Sequence, residues 1–208
     1  MSKEEFIMSE KKGMNLPNKL TVSRILLTPP CLALIMLKGF AWSAPLGAVV
    51  FMLIAFTDML DGKIARKYNL ITDFGKFLDP LADKFLVVGS YLALIYRTEG
   101  YIKLALVILA IVTIFREFTV SSLRLIVNQK QSIVVPANIY GKIKTVSQMV
   151  FVVAFLVEPL IMKALDAPEI MVSFPPVSVL AYTATLVFTV ISGIIYFNSY
   201  FPYISSDK

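Results

Sequence analysis

The sequence predicts an all-α integral membrane protein: six transmembrane helices and a short N-terminal interfacial helix. Three observations carry that prediction. Hydrophobic residues fill 57% of the 208 positions and charged residues only 16%, with a mean hydropathy of +0.75, which is too apolar for an ordinary soluble domain. Six apolar runs, at about 20–37, 44–61, 77–96, 101–126, 145–164 and 174–197, each approach the roughly 20 residues a spanning helix needs. Cations gather in alternate connections: the N-terminus, the segment from Gly62 to Lys76 and the loop from about Asn128 to Lys144 are basic, whereas the opposite loops hold chiefly Lys38, Arg97 and Lys163. By the positive-inside rule both termini and the 62–76 segment then face the cytoplasm, at the cell (inner or plasma) membrane.

Taken in order, residues 1–13 form a charged extension that is expected to be flexible or surface-lying, and the membrane domain occupies 14–208. From Asn15 to Arg24 polar and apolar residues alternate, with Pro17 suited to a helix start, so this stretch reads as the interfacial helix leading into the first span. The first span is longer than the apolar core of a cleaved signal and five more follow, so it is read as retained. The second run ends on Asp58 and Asp61, and the third begins with Asp79 and Asp83, so both reach the same membrane face at their polar ends. The last three runs are conventional spans. Pro29-Pro30 and Pro175-Pro176 read as kinks or helix starts, and the aromatic residues near span ends as interfacial belt and packing. The net charge of +6 suits anionic headgroups and phosphates, not nucleic acid.

The chemistry lies between Asp58 and Asp83. Asp58 and Asp61 stand at i and i+3 of one helix, Asp79 and Asp83 at i and i+4 of the next, so each pair shares a helix face. Two facing pairs make a four-carboxylate cage. An ionised Asp at the hydrocarbon centre costs about 2.5–3.5 kcal/mol on insertion scales, so four of them require cations or a wet, cytoplasmic depth. The chain has no histidine and a single cysteine, Cys31, in an apolar run, which removes the usual zinc, copper, haem and iron–sulfur ligands and any intrachain disulfide. The implied metal is hard and oxygen-bound: Mg²⁺ or Mn²⁺ fit best, Ca²⁺ more loosely. Two such ions can clamp a diphosphate and align a nucleophile for in-line displacement. Gly62 and Ala65 leave room beside a bulky ligand, as does Gly75 opposite, and Arg66 can fork onto phosphate oxygens. Asp83, deepest along its helix, is by position the candidate general base.

The string D-x2-D-G-x2-A-R-x8-G-x3-D-x3-D resembles the signature of the CDP-alcohol phosphotransferases, and every signature position is filled, by Asp58, Asp61, Gly62, Ala65, Arg66, Gly75, Asp79 and Asp83. The resemblance implies that Asp58, Asp61 and Asp79 bind two divalent ions, that Asp61, Gly62, Ala65, Arg66 and Gly75 border the CDP-diacylglycerol donor, and that Asp83 is the base and a further ligand. It also implies a six-helix fold with a cytoplasmic-facing active-site cavity, and a homodimer. The flanking stretches Asn15–Arg24, Arg116–Arg124 and Gly141–Thr145 resemble the members of that family whose acceptor is glycerol 3-phosphate; Ser122 departs from the glycine usual before the Leu-Arg pair. The resemblance therefore covers nearly all of the chain after Met14. The reaction it implies moves a phosphatidyl group from CDP-diacylglycerol to sn-glycerol 3-phosphate, giving phosphatidylglycerol phosphate and CMP, with the acyl chains in the membrane lipids.

Arg116 and Arg124, eight apart on one span, with Lys142 and Lys144 across the loop, read as a cationic pocket for the phosphate of that acceptor. The competing reading is that such cations only anchor helix ends, and Glu117 reads as the partner of a neighbouring cation. Rivals to the whole assignment are a same-family transferase acting on inositol phosphate, serine or phosphatidylglycerol, an Asp-rich membrane prenyltransferase, and a cation transporter that would move metal and release no CMP.

Overall fold

The computed structural model describes residues 15–68, 72–131 and 139–205, except the side chains of 59, 61–63, 65–66, 73, 76, 128–131 and 202–205. These residues form seven helices: α1 (Leu16–Met36), α2 (Ser43–Tyr68), α3 (Asp73–Arg97), α4 (Gly100–Gln131), α5 (Ile139–Ala164), the short α6 (Glu169–Ser173) and α7 (Pro176–Ser205). Four stretches are long and apolar enough to cross a membrane: Leu16–Met36, Gly100–Val127, Ile139–Ala164 and Glu169–Phe201, the last covering α6 and most of α7. The apolar part of α2 is shorter, Ser43–Asp58, because its final turns carry the charged residues. The expected extension at residues 1–13 lies outside the described residues.

One expectation is corrected at the N-terminus. Asn15–Arg24 is no separate interfacial helix: α1 runs without interruption from Leu16 to Met36, started by Pro17 in its first turn, and it carries Pro29 and Pro30 inside it. Asn18, Thr21, Arg24 and Thr28 are buried, not surface-lying. They recur every three or four residues and so share one face of α1, which the other helices cover. Pro175-Pro176 is a helix start, as read, whereas Pro29-Pro30 is not.

The burial pattern is that of a protein whose solvent is hydrocarbon. Leu26, Phe77, Phe115, Phe118 and Leu180 are among many large apolar side chains left outside, while Thr28, Ser90, Glu158 and Ser192 are buried and hydrogen-bonded. Exposed apolar groups carry no penalty in lipid, and polar groups must find partners within the protein.

The described residues fall into two compact units, one ending at Arg97 and one beginning at Thr98. In the first, α1 packs against both α2 and α3. A Cβ on Gly47 would stand 2.7 Å from Ile35 Cγ1, and one on Gly89 would stand 2.5 Å from Leu32 Cδ1, so a larger residue at either position would displace a side chain of α1. The C-terminal end of α1 is closed by Arg97, whose Nη1 donates to the carbonyls of Ile35 (2.9 Å) and Leu37 (2.8 Å) and to Ser43 Oγ (3.0 Å). A fixed cation there answers the orphan carbonyls and the negative end of the helix dipole.

In the second unit α7 packs against α4 and α5. Val120 and Val127 of α4 meet Tyr196 and Tyr200 of α7, whose rings stack with centroids 6.2 Å apart. Glu158, buried within α5, caps α7 from a neighbouring helix: its carboxylate accepts from Val177 N (2.8 Å), Ser178 N (2.6 Å) and Ser178 Oγ (2.7 Å). Proline at 175 has no side-chain acceptor for this role, so a carboxylate facing the positive end of the helix satisfies amides that would otherwise be orphaned in the bilayer.

Candidate active site

The first unit brings Asp58, Asp79 and Asp83 onto one face of α1. Asp58 lies in the later turns of α2, and Asp79 and Asp83 in the first turns of α3. Arg24 Nη1 donates to Asp58 Oδ1 at 2.5 Å and to Asp83 Oδ1 at 2.8 Å. One nitrogen therefore joins acids from two helices. Thr21, one turn earlier, donates its hydroxyl to Asp79 Oδ1 at 2.8 Å. One further turn back, Asn18 Nδ2 donates to Thr72 Oγ1 at 2.9 Å, and Thr72 Oγ1 accepts from Gly75 N at 3.0 Å, the geometry of an N-cap on α3. Asn18, Thr21 and Arg24 thus form a polar stripe that reads α3 from its cap to Asp83.

Burial gives the site a direction. The Arg24 side chain is 0% exposed, while those of Asp58 and Asp83 are 33% and 53% exposed. The guanidinium forms a sealed floor and the carboxylates open above it. Charge-assisted hydrogen bonds of this type contribute about 1.5–3 kcal/mol each, and a guanidinium cannot shed its proton to escape burial.

Asp58 and Asp83 face each other across Arg24 Nη1, to which both are bonded. Asp61, Gly62, Ala65 and Arg66 are helical in backbone, but their side chains lie outside the described residues. Among the described residues, Asp58, Asp79 and Asp83 included, no group of three or more Asp, Glu, His or Cys stands close enough to hold a metal ion. The residues present suit a hard cation. Arg24 already sets one positive centre between Asp58 and Asp83, and the donors are oxygens throughout, the ligands that Mg²⁺ and Mn²⁺ take. Gly75 is buried, and a Cβ there would lie 2.8 Å from Asn18 Oδ1, so its missing side chain makes room for Asn18.

Arg24 and Thr21 are the functional residues that sequence reasoning left without a role. The available signal was an arginine within a spanning run, preceded by polar residues at helical spacing.

In the second unit, Arg116 and Lys144 are brought together by Glu117, as its pairing with a neighbouring cation predicts. Glu117 Oε1 accepts from Arg116 Nη1 at 2.9 Å and from Lys144 Nζ. All three side chains are largely buried. The Arg116 guanidinium also lies over the Tyr196 ring, 5.3 Å from its centroid. Gly193 runs beneath it, where a Cβ would stand 3.2 Å from Arg116 Cγ. Arg124 and Lys142 are exposed, and among the described contacts neither joins this cluster. Two largely buried cations thus share one carboxylate.

Residues 14–195 match the family model described as CDP-alcohol phosphatidyltransferase. A curated relative from Bacillus subtilis (strain 168), a CDP-diacylglycerol–glycerol-3-phosphate 3-phosphatidyltransferase, is 42% identical over 196 residues, covering 88% of this chain and 94% of its own. Relatives of the same name from Rickettsia typhi and Salmonella choleraesuis are 41% and 39% identical, covering 65% and 70% of this chain and 72% and 78% of theirs.

Proposed function

Because this chain belongs to the CDP-alcohol phosphatidyltransferase family, we propose that it transfers the phosphatidyl group from CDP-diacylglycerol to sn-glycerol 3-phosphate, releasing CMP and leaving phosphatidylglycerol phosphate in the bilayer. The observation that carries the acceptor is identity to relatives named for glycerol 3-phosphate that extends far beyond the signature. The test is CMP release by the purified protein from CDP-diacylglycerol, with each acceptor added in turn. Turnover is expected with glycerol 3-phosphate and not with serine or inositol phosphate; equal turnover with either would remove the acceptor assignment.

Asp58, Asp61 and Asp79 would hold two Mg²⁺ or Mn²⁺ ions, with Asp83 a further ligand. Bound there, the ions supply Lewis-acid neutralisation of the donor diphosphate. Asp61, Gly62, Ala65 and Arg66 border the donor, Arg66 with a fork for phosphate oxygens; Gly75 acts by letting Asn18 close on the start of α3. Asp83, half exposed, accepts the proton of the acceptor hydroxyl as that oxygen attacks the phosphorus nearer the diacylglycerol, and CMP leaves with the bonding pair. Direct displacement needs no covalent intermediate, and the chain has no histidine to form one. The wider reading is of six spans, α2 and α3 included, with the acids at the cytoplasmic face of the cell membrane and the protein acting as a homodimer.

Arg116, Arg124, Lys142 and Lys144 are the proposed acceptor-phosphate ligands. Arg116→Ala and Arg124→Ala are each expected to raise the KM for glycerol 3-phosphate about ten- to a hundredfold, from lost charge-assisted hydrogen bonds of about 1.5–3 kcal/mol, with donor binding almost unchanged. Lysine should restore only part, because it keeps the charge without the planar fork. Steady-state kinetics at saturating donor decide it: an unchanged acceptor KM in both variants reduces these arginines to membrane anchors.

A further inference from the structure

Arg24 is a permanent positive charge sealed from solvent, and it donates to carboxylates from two different helices. The converse also holds. Two carboxylates that approach a single nitrogen to 2.5 and 2.8 Å repel each other strongly unless a cation stands between them. We propose that Arg24 is a positioning residue of the active site: a built-in counter-cation that holds Asp58 and Asp83 in register before divalent ions bind, and that competes with those ions for the same carboxylate charge. The inference rests on the reading of Asp58 and Asp83 as active-site acids.

The packing supports this role. α1 is the helix that touches both α2 and α3. Arg24 lies on the same stripe as Thr21, which positions Asp79, so the acids of two helices are registered against one rigid element. The Asp83 oxygen that meets Arg24 belongs to a half-exposed carboxylate, whose remaining surface stays open for chemistry. In the metal-free protein the guanidinium offsets the negative charge that would otherwise splay the acids. An arriving divalent ion must share those carboxylates with a cation that cannot leave, which weakens its binding.

An alternative role for the same contacts is a plain strut tying α1 to α2 and α3. The two differ in their linkage to metal. Loss of a strut lowers stability equally with and without metal, whereas loss of a counter-cation lowers it mainly without, because only the loaded state has another source of positive charge.

The experiment compares the full chain, purified in detergent, as parent, Arg24→Lys and Arg24→Gln. Mn²⁺ binding is followed by electron paramagnetic resonance, and thermal unfolding in EDTA and in saturating Mn²⁺. Arg24→Gln should unfold at a clearly lower temperature than the parent in EDTA, recover most of that loss in Mn²⁺, and bind Mn²⁺ about tenfold more tightly. Arg24→Lys should stay close to the parent in EDTA, since it keeps the charge. An Arg24→Gln protein that loses equally in both conditions, or binds Mn²⁺ no more tightly than the parent, overturns the proposal. A parent that binds no Mn²⁺ overturns the metal-site reading beneath it and this inference too. Should Arg24→Gln be too unstable to purify, Arg24→Gln/Asp83→Asn carries the test. Removing one negative charge should restore folding in EDTA if Arg24 is a counter-cation, and a double variant as unstable as the single one overturns the idea.

Discussion

Asp79→Asn is expected to bring CMP release to background while the protein still inserts, folds and purifies. A bound divalent ion contributes several kcal/mol of transition-state stabilisation, and each ~1.4 kcal/mol is tenfold in rate, so losing a ligand should cost on the order of 10³ or more. EDTA should produce the same loss in the parent, and Mg²⁺ or Mn²⁺ should reverse it; full turnover in excess chelator would end the two-metal reading. Asp79 is the cleanest of the acids for this test because its observed partner is the neutral hydroxyl of Thr21. Asp58 is less clean. Asp58→Ala strips one of two carboxylates from the buried Arg24, and breaking a buried ion pair costs up to about 3–5 kcal/mol, so that variant should lose thermal stability as well as turnover. Asp58→Asn keeps an oxygen for Arg24 Nη1 and should fold better than the alanine form.

Asp83→Asn is expected to lower kcat by about 10²–10⁴, the usual contribution of a general base. Its amide oxygen can still accept from Arg24 Nη1, so the contact that registers α3 against α1 is retained. Donor binding should therefore survive while turnover collapses, a split that titration of CDP-diacylglycerol against the inactive protein will read directly. If donor or Mn²⁺ affinity falls as far as it does in Asp79→Asn, Asp83 is a ligand before it is a base, and the proton must go elsewhere.

Much of the site was legible because it depends on spacing within a single helix. Asp58 and Asp61 at i and i+3, and Asp79 and Asp83 at i and i+4, share faces by helical geometry alone, whatever the helices later pack against. Composition was equally decisive for class: an excess of apolar residues has one inexpensive solvent, and the structure turns Leu26, Phe77 and Phe115 outward accordingly. The pairing of Glu117 with a cation followed from charge and proximity.

Contacts between helices were not legible, because they depend on how deeply one helix seats against the next. The polar stretch from Asn15 to Arg24 looks interfacial when its residues are counted one by one. Asn18, Thr21 and Arg24 are buried instead, because α2 and α3 pack on α1 and supply their partners Thr72, Asp79, Asp58 and Asp83. The close approach of Asn18 to Gly75 is likewise invisible to spacing. Of the acceptor cations, Arg116 and Lys144 are gathered by Glu117, while Arg124 and Lys142 stay at the surface, a division that spacing cannot express. By itself, then, the sequence determined the membrane class, the signature acids and their order along each helix. Only the tertiary structure decided that Asp58 and Asp83 meet at Arg24, because a side chain's periodicity says which way it points and only the packing of a second helix says what it meets there.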